Sequence, residues 1–192
     1  MNADLPERIH ITGGPGSGKS WLARQLARTM GVDLIDIDGR GLDIKPLDVI
    51  ITEPHEFEAL IAARDADLDE ATRAGAWVCD GSFVGVSQVA LQRTDLIVWV
   101  DVSWRIASYR IVARHVKLEL QRRNRFPGWK RLYQFWRWSG RFYRDTNPPG
   151  LNIWGTPGTR AYTREVLAPY GSKLLAVRTK REVRELRRRF ER

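Results

Sequence analysis

One stretch of the 192-residue chain has the residue types and the spacing of a phosphate-binding loop. Residues 13–20 match the pattern G-x-x-x-x-G-K-[ST] at every specified position. The glycines let successive backbone N–H groups turn inward onto a phosphate, Lys19 can reach the β- and γ-phosphates, and the Ser20 hydroxyl can ligate Mg²⁺. We therefore predict a site for ATP and Mg²⁺, whose nucleotide-binding residues include Gly14, Pro15, Gly16, Ser17, Gly18, Lys19, Ser20 and Trp21.

The segments on either side give this loop the context that it needs. Residues 8–12 form a short β-prone run, and residues 21–28 carry apolar side chains at helical spacing. A strand, a glycine loop and a helix in this order place the positive end of the helix behind the phosphate. A flexible glycine turn, with Lys19 as an ordinary surface lysine, would not require the complete octapeptide. We therefore favour the phosphate-binding interpretation.

Further along the chain, β-prone runs alternate with segments of helical periodicity. We predict strands at 8–12, 32–38, 76–80, 95–101 and 173–177. We predict helices at 21–28, 55–73, 84–92, 103–123, 129–144, 160–167 and 180–190. This alternation is typical of a parallel sheet with right-handed crossovers and helices on both faces. In such a sheet, ligands bind beyond the carboxyl ends of the strands.

Three predicted strands end in an aspartate, Asp38, Asp80 and Asp101, and two of these carboxylates have a candidate role. Asp80 ends a hydrophobic strand, where a carboxylate is needed to support Mg²⁺ together with Ser20; a strand-end cap is the alternative interpretation. Asp38 closes the second strand, where a carboxylate could take the proton of an acceptor hydroxyl or orient it. The alternative for Asp38 is membership of a solvated acidic loop. We predict Ser20 and Asp80 at the metal and Asp38 on the acceptor side.

The helix predicted after the fourth strand is rich in arginine. Arg110 and Arg114 are four residues apart, so both project from one helix face. Two guanidinium groups over a transferring phosphoryl group would stabilise its charge, whereas a solvated basic face is the usual interpretation of such a run. With a phosphate site already predicted, we assign Arg110 and Arg114 to nucleotide binding and, with Lys19 and Asp38, to catalysis.

The charge is unevenly distributed along the chain. Residues 1–100 carry 9 Lys and Arg against 16 Asp and Glu, whereas residues 101–192 carry 23 against 7. A basic half can indicate nucleic acid, an anionic membrane surface, or arginines that converge on a polyphosphate. Aromatic residues interleave with basic ones over 129–144. That pattern fits base stacking in single-stranded nucleic acid, or the packed stripe of an amphipathic helix that covers an acceptor pocket.

Cysteine content and hydropathy limit the possible compartments. The single cysteine, Cys79, excludes an internal disulfide framework and suits a reducing compartment. The first seven residues are polar, without the pattern of a secretory leader. The best apolar run, residues 96–100, is far too short to span a membrane. These observations predict a cytoplasmic protein without a membrane partner.

These motifs together resemble a known family. Residues 13–20, Asp38, the sequence Trp-Val-Cys-Asp-Gly at 77–81, the run 95–101 and the Arg110/Arg114 pair are similar to adenylate-kinase-related P-loop kinases of the topology modulation (FlaR-like) type. The resemblance implies a three-layer α/β/α P-loop NTPase fold with a five-stranded parallel sheet in the order 2-3-1-4-5. It also implies one domain over 1–192, with a basic helical lid or insert at about 115–160.

The resemblance and the site residues lead to one functional prediction and its rivals. The prediction is a Mg²⁺-dependent phosphotransferase that moves the γ-phosphate of ATP to a small acceptor such as a nucleotide or a nucleoside. The main alternative is a nucleic-acid-binding protein whose P-loop acts as a switch or an ATPase, since the second half of the chain is so basic. A kinase-like binding module without turnover is the lesser alternative.

Overall fold

The architecture was taken from a computed structural model that describes residues 5–38, 62, 65–73, 75–82, 84, 87–124, 126–144 and 158–191. The strands are β1 Arg8–Thr12, β2 Asp33–Asp36, β3 Trp77–Gly81, β4 Leu96–Val100 and β5 Leu174–Val177. The helices are α1 Lys19–Met30, α2 Gln88–Arg93, α3 Trp104–Leu120, α4 Trp129–Tyr143, α5 Arg160–Leu167 and α6 Lys180–Phe190, with a 3₁₀ turn at Ala168–Lys173. Residues 65–71 are also helical.

The five strands form one parallel sheet in the order β2-β3-β1-β4-β5. This confirms the predicted fold class, including the strand order. In the register of the sheet, Thr12 at the end of β1 lies opposite Gly81 of β3 and Trp99 of β4. The carboxyl ends of the three central strands therefore meet at the phosphate-binding loop, which follows β1 directly.

Helices cover both faces of the sheet. On one face, Ile9 and Ile11 pack with Leu22 and Leu26 of α1 and with Phe190 of α6. On the other face, the buried residues come from the strands, the helical stretch 65–71, α2 and α5, and they include Leu68, Trp77, Cys79, Leu91, Trp99 and Leu167. Burial on both faces explains why the central strands are nearly continuous apolar runs in the sequence.

The end of α3 differs from the predicted end at residue 123. The helix stops at Leu120 because Arg122 adopts a left-handed conformation with φ of 53°. The N–H of Arg122 bonds to the carbonyl of Glu119, and the N–H of Arg123 bonds to the carbonyl of Leu118, which is the Schellman arrangement of a helix end. Glycine is the usual residue at this position, so the sequence carried no signal for the stop.

Other predicted elements agree with small shifts or lie outside the described residues. The short helix predicted over 84–92 is observed at Gln88–Arg93. Most of the helix predicted at 55–73 and the irregular segment 145–157 are outside the described part of the chain. The organisation as one domain with a basic lid stays a prediction.

Within the described ranges, no helix has both the length and the apolar character required to cross a membrane.

Candidate active site

The phosphate-binding loop curls between β1 and α1 and is held by α3. Gly16 has φ of 77°, and a Cβ atom there would come within 2.6 Å of the Ala107 carbonyl of α3. The buried Ser17 accepts a hydrogen bond from the Arg110 guanidinium on its carbonyl oxygen. Its hydroxyl accepts one from the Lys19 N–H at 3.3 Å. Contacts with α3 and hydrogen bonds within the loop therefore hold its backbone in a curve around the N-terminal end of α1.

Lys19 and Asp38 come together beside this loop. The ammonium nitrogen of Lys19 lies 3.5 Å from Oδ2 of Asp38, and the lysine side chain is only 12% exposed. Asp38 also accepts hydrogen bonds from Ser82, from its N–H at 2.8 Å and from its hydroxyl at 2.9 Å. Ser82 follows β3 directly, so the end of one strand fixes the carboxylate that follows its neighbour, β2. The carboxylate is thus oriented from two sides.

Asp80 lies in β3 on the side of the sheet that faces α1. Burial raises the pKa of its carboxyl group, while the charge of Lys19 and a hydrogen bond with Ser20 act in the opposite direction. Its Oδ1 atom is buried and has no hydrogen-bond partner among the residues that the structure describes. A buried carboxylate oxygen without a partner, next to a serine hydroxyl at the start of a helix, fits the needs of Mg²⁺. Ser20 and Asp80 are therefore suitable metal-site residues.

The two arginines of α3 have different surroundings. Arg110 is half-buried and contacts the loop, and a Cβ atom on Gly18 would lie 3.1 Å from its Nη1 atom. Arg114 lies one turn further along and is exposed, although desolvation by the surrounding protein lowers the pKa of its guanidinium. In the described part of the chain, Arg114 has neither an ion-pair nor a hydrogen-bond partner. Arg110 thus lies on the loop, and Arg114 extends the same basic face.

Trp21 is the predicted nucleotide-binding residue whose side chain points elsewhere. Its ring is 48% exposed, and the guanidinium of Arg187 on α6 lies 5.4 Å from the ring centroid. The backbone N–H groups in the first turn of a helix have no partner inside the helix. What Trp21 can offer to a phosphate is therefore its main chain, while its indole packs against α6.

The end of α4 packs directly on the loop, which the sequence did not indicate. The Tyr143 hydroxyl donates a hydrogen bond to the Pro15 carbonyl at 2.9 Å. The Phe142 ring approaches Gly14 so closely that a Cβ atom on that glycine would overlap it. Burial raises the pKa of Tyr143, and the nearby charge of Asp101 adds to the rise. The hydrophobic spacing of α4 was visible in the sequence, but its target was not.

A buried ion-pair network lies beyond β4. Asp101 is 3% exposed in its side chain, and Arg160 at the start of α5 donates to both of its oxygens, at 2.6 and 2.8 Å. Arg178, after β5, lies 3.5 Å from the same carboxylate. Asp101 was recognisable as a strand-end aspartate, whereas Arg160 lies 59 residues away and no local pattern linked them. The network joins α5 and the end of β5 to the centre of the sheet.

Comparisons with known proteins support the fold. No protein-family model and no curated protein sequence matches the chain. A gluconokinase from Sinorhizobium meliloti is similar in structure, with a TM-score of 0.51, 15% identity and coverage of 96% of this chain and 89% of that one.

Two shikimate kinases also align. The one from Bacteroides thetaiotaomicron has a TM-score of 0.48 at 15% identity, covering 97% of each chain. The one from Acinetobacter baumannii, solved with shikimate, has a TM-score of 0.46 at 16% identity, covering 88% of this chain and 95% of that one. At these identities the likeness concerns the fold alone. The topology modulation subtype stays a prediction.

Proposed function

We propose that this chain is a phosphotransferase that uses ATP and Mg²⁺ to phosphorylate a small acceptor, such as a nucleotide or a nucleoside. The observation that carries the proposal is the approach of Lys19 to Asp38, at 3.5 Å. The loop lysine reaches for the phosphoryl group that leaves ATP, so a carboxylate next to it stands where an acceptor hydroxyl would attack. A loop that only sequesters a nucleotide has no need of that carboxylate.

Each side chain then has one task. The loop amides and Lys19 bind the β- and γ-phosphates, and Arg110 places positive charge beside them. Arg114, which has no partner among the described residues, would add a second guanidinium when an anion is bound. Mg²⁺, held through Ser20 and supported by Asp80, would neutralise charge on the phosphate oxygens. Asp38 accepts the proton of the acceptor hydroxyl or orients that hydroxyl for attack.

Ser82 is a positioning residue in this proposal. Its hydroxyl and its N–H hold both oxygens of Asp38, so the carboxylate cannot turn freely toward Lys19. Ser82→Ala keeps the backbone bond and removes the hydroxyl bond. We expect kcat to fall roughly fivefold, in line with about 1 kcal/mol for one hydrogen bond, with the KM for ATP unchanged. Recovery of activity in Ser82→Thr would separate orientation of Asp38 from a general loss of stability.

The proposal is tested by measuring ATP consumption with nucleosides, nucleoside monophosphates, sugars and other small hydroxyl compounds. We expect one acceptor class to stimulate turnover. Lys19→Met should lower that rate by roughly 10²–10³-fold, as the loss of a transition-state donor does. Asp38→Asn should remove acceptor-dependent turnover while ATP still binds. The matched control is Lys117→Met, which removes an exposed lysine of α3.

Two results would count against a kinase. One is ATP binding without stimulation by any acceptor. The other is an acceptor-dependent rate that Lys19→Met leaves intact, because the phosphate loop would then have no part in the reaction.

A further inference from the structure

The outward side of α4 carries a row of aromatic and basic residues that the site does not use. Trp129, Tyr133, Arg137 and Arg141 follow each other at intervals of four residues, so they form one ridge on the helix; we call these four residues the α4 ridge. Trp129 is 68% and Tyr133 58% exposed, and both arginines are exposed. The buried Phe142 lies about 180° around the helix from Tyr133.

The charge around the ridge is almost entirely positive. Residues 104–144 contain 12 Lys and Arg and a single acidic residue, Glu119. The Glu119 carboxylate is occupied within the turn between α3 and α4, where it accepts hydrogen bonds from Gly128 N–H at 2.7 Å and from Asn124 at 3.1 Å. Among the described residues, neither Arg137 nor Arg141 has a hydrogen-bond or ion-pair partner. The excess charge is therefore available to a partner of opposite sign.

The start of the ridge is too far from the phosphate loop to serve ATP. The C-terminal end of α4 is fixed at the loop by the bond from Tyr143 to Pro15. Trp129 begins the helix 14 residues earlier, which corresponds to about 21 Å along the axis. An arginine side chain cannot cross that distance. Lys130 and Arg131, near the start of α4, must therefore serve a different anion or only water. Arg141 lies only two residues before Tyr143, but about 200° around the helix from it, so its side chain leaves on the side away from the loop.

The aromatic part of the ridge is held in place from beneath. Tyr133 stacks on Trp136 with ring centroids 6.4 Å apart and an angle of 21° between the planes. Trp136 is anchored by a 2.6 Å hydrogen bond from its indole N–H to the Ser108 hydroxyl of α3 and packs on Trp104. An exposed ring that is already oriented loses little freedom when a flat ligand stacks on it. Two rings followed by two guanidinium groups thus form a prepared surface.

We propose that the α4 ridge binds single-stranded nucleic acid. Bases would stack on Trp129 and Tyr133, and the sugar–phosphate backbone would contact Arg137 and Arg141, a combination that tolerates any sequence. The outward side of α4 is predominantly cationic and has no continuous apolar face of the kind that inserts an interfacial helix into a membrane. Repulsion between positive surfaces disfavours a second copy of the chain. This function goes beyond phosphotransfer and does not depend on it.

The experiment measures binding of the full chain to a fluorescein-labelled oligothymidylate by anisotropy. The probe has about 20 nucleotides, longer than the roughly 4–16 nucleotides that one single-strand-binding module covers. The titration is repeated between about 50 and 200 mM salt. We expect Arg137→Gln/Arg141→Gln to weaken binding at least tenfold and to reduce the log–log salt slope by about 1.4, the value for two lost phosphate contacts on a single strand. Tyr133→Ala should weaken binding about tenfold and leave the slope unchanged.

The matched control is Arg184→Gln/Arg188→Gln on α6. It removes the same charge at the same spacing from another exposed helix face, and we expect less than a threefold change. Thermal unfolding and ATP binding verify that each variant is folded. The proposal is overturned if the wild type does not bind at about 50 mM salt, or if both double variants lose affinity equally. Binding to vesicles of phosphatidylserine and phosphatidylcholine without binding to the oligonucleotide would also overturn it and assign the ridge to a membrane.

Discussion

Charged side chains are buried in one region of this molecule and exposed to solvent in another. At the carboxyl edge of the sheet, Asp80 and Asp101 are 6% and 5% exposed. Asp101 is held there by Arg160 at 2.6 Å. On the α4 ridge, Arg137 and Arg141 are exposed and, within the described residues, without a partner. Guanidinium groups occur in both regions, but Arg160 is paired with a buried carboxylate, whereas Arg137 and Arg141 face the solvent.

The difference shows that burial, more than residue type, decides what a charge does for the fold. A buried charge has lost its water and depends on its partners, so removing a partner is costly. An exposed charge remains solvated and screened by salt, and contributes little to stability. The sheet edge therefore orients groups within the protein, whereas the ridge keeps its charge for another molecule.

The buried histidine of β1 should make stability strongly dependent on pH. His10 is completely buried, neither ring nitrogen has a hydrogen-bond partner among the described residues, and burial lowers its pKa to about 4. The unfolded chain, with a histidine pKa near ~6.5, binds a proton at higher pH than the folded chain does. The free energy of unfolding should therefore fall by about 3 kcal/mol as the pH drops from about 6.5 to about 4.

Urea unfolding of the wild type and of His10→Leu at a series of pH values measures this effect. The difference between the two curves isolates the histidine from the carboxylates that titrate in the same range. Equal pH slopes for the two proteins would show that His10 is not the group responsible.

Removing the charge of Asp101 should destabilise the chain more than removing an exposed aspartate. Asp101→Asn removes the carboxylate charge that Arg160 contacts with two hydrogen bonds, and because Arg160 is 27% exposed, hydration relieves part of the cost. We expect a loss of about 2 kcal/mol, below the 3–5 kcal/mol of a fully buried pair. Asp95→Asn is the control, since its partner Arg8 is 44% exposed, and it should cost less than about 1 kcal/mol. Similar losses of stability in the two variants would show that burial does not decide the cost of removing the charge.

Removing the hydrogen bond between α4 and the phosphate loop should lower the stability by a smaller amount. Tyr143→Phe keeps the ring and removes the hydrogen bond to Pro15. We expect about 1 kcal/mol less stability and a modest loss of ATP affinity, measured by calorimetry. Tyr109→Phe, at a residue that is 74% exposed, serves as the control and should change neither quantity. If Tyr143→Phe also changes neither, α4 does not support the loop.

Neutralising the ridge should have the smallest effect on stability. Arg137→Gln/Arg141→Gln removes exposed charges that have no partner among the described residues, so the free energy of unfolding should change by less than about 0.5 kcal/mol. Because these charges lie among like charges, the change can have either sign within that limit. A loss of about 2 kcal/mol or more would show that these arginines support the fold.

The sequence by itself determined the class of fold and the position of its main site. Residues 13–20 identify the phosphate loop because the chemistry of phosphate binding demands glycines, a lysine and a serine at fixed intervals. The alternation of apolar strands with periodic helices was sufficient for a parallel sheet with helices on both faces. The strand order came from the family resemblance, and it is as predicted. Asp38 and Asp80 were found by a general rule, since strand ends in a parallel sheet converge. Motif spacing, periodicity and strand ends are local features, so a single sequence is enough to show them.

The tertiary structure alone decided which distant residues meet. Ser82 holds Asp38 across 44 residues, Arg160 reaches Asp101 across 59, and Tyr143 contacts Pro15 across 128. Hydrogen bonds and ion pairs have no periodicity that a sequence could display, and each depends on how elements pack. The outward direction of the α4 ridge also depends on how the elements pack. Periodicity indicated that α4 has a packed side and a solvated side, and only the contacts with α3 and the loop showed which residues face the solvent.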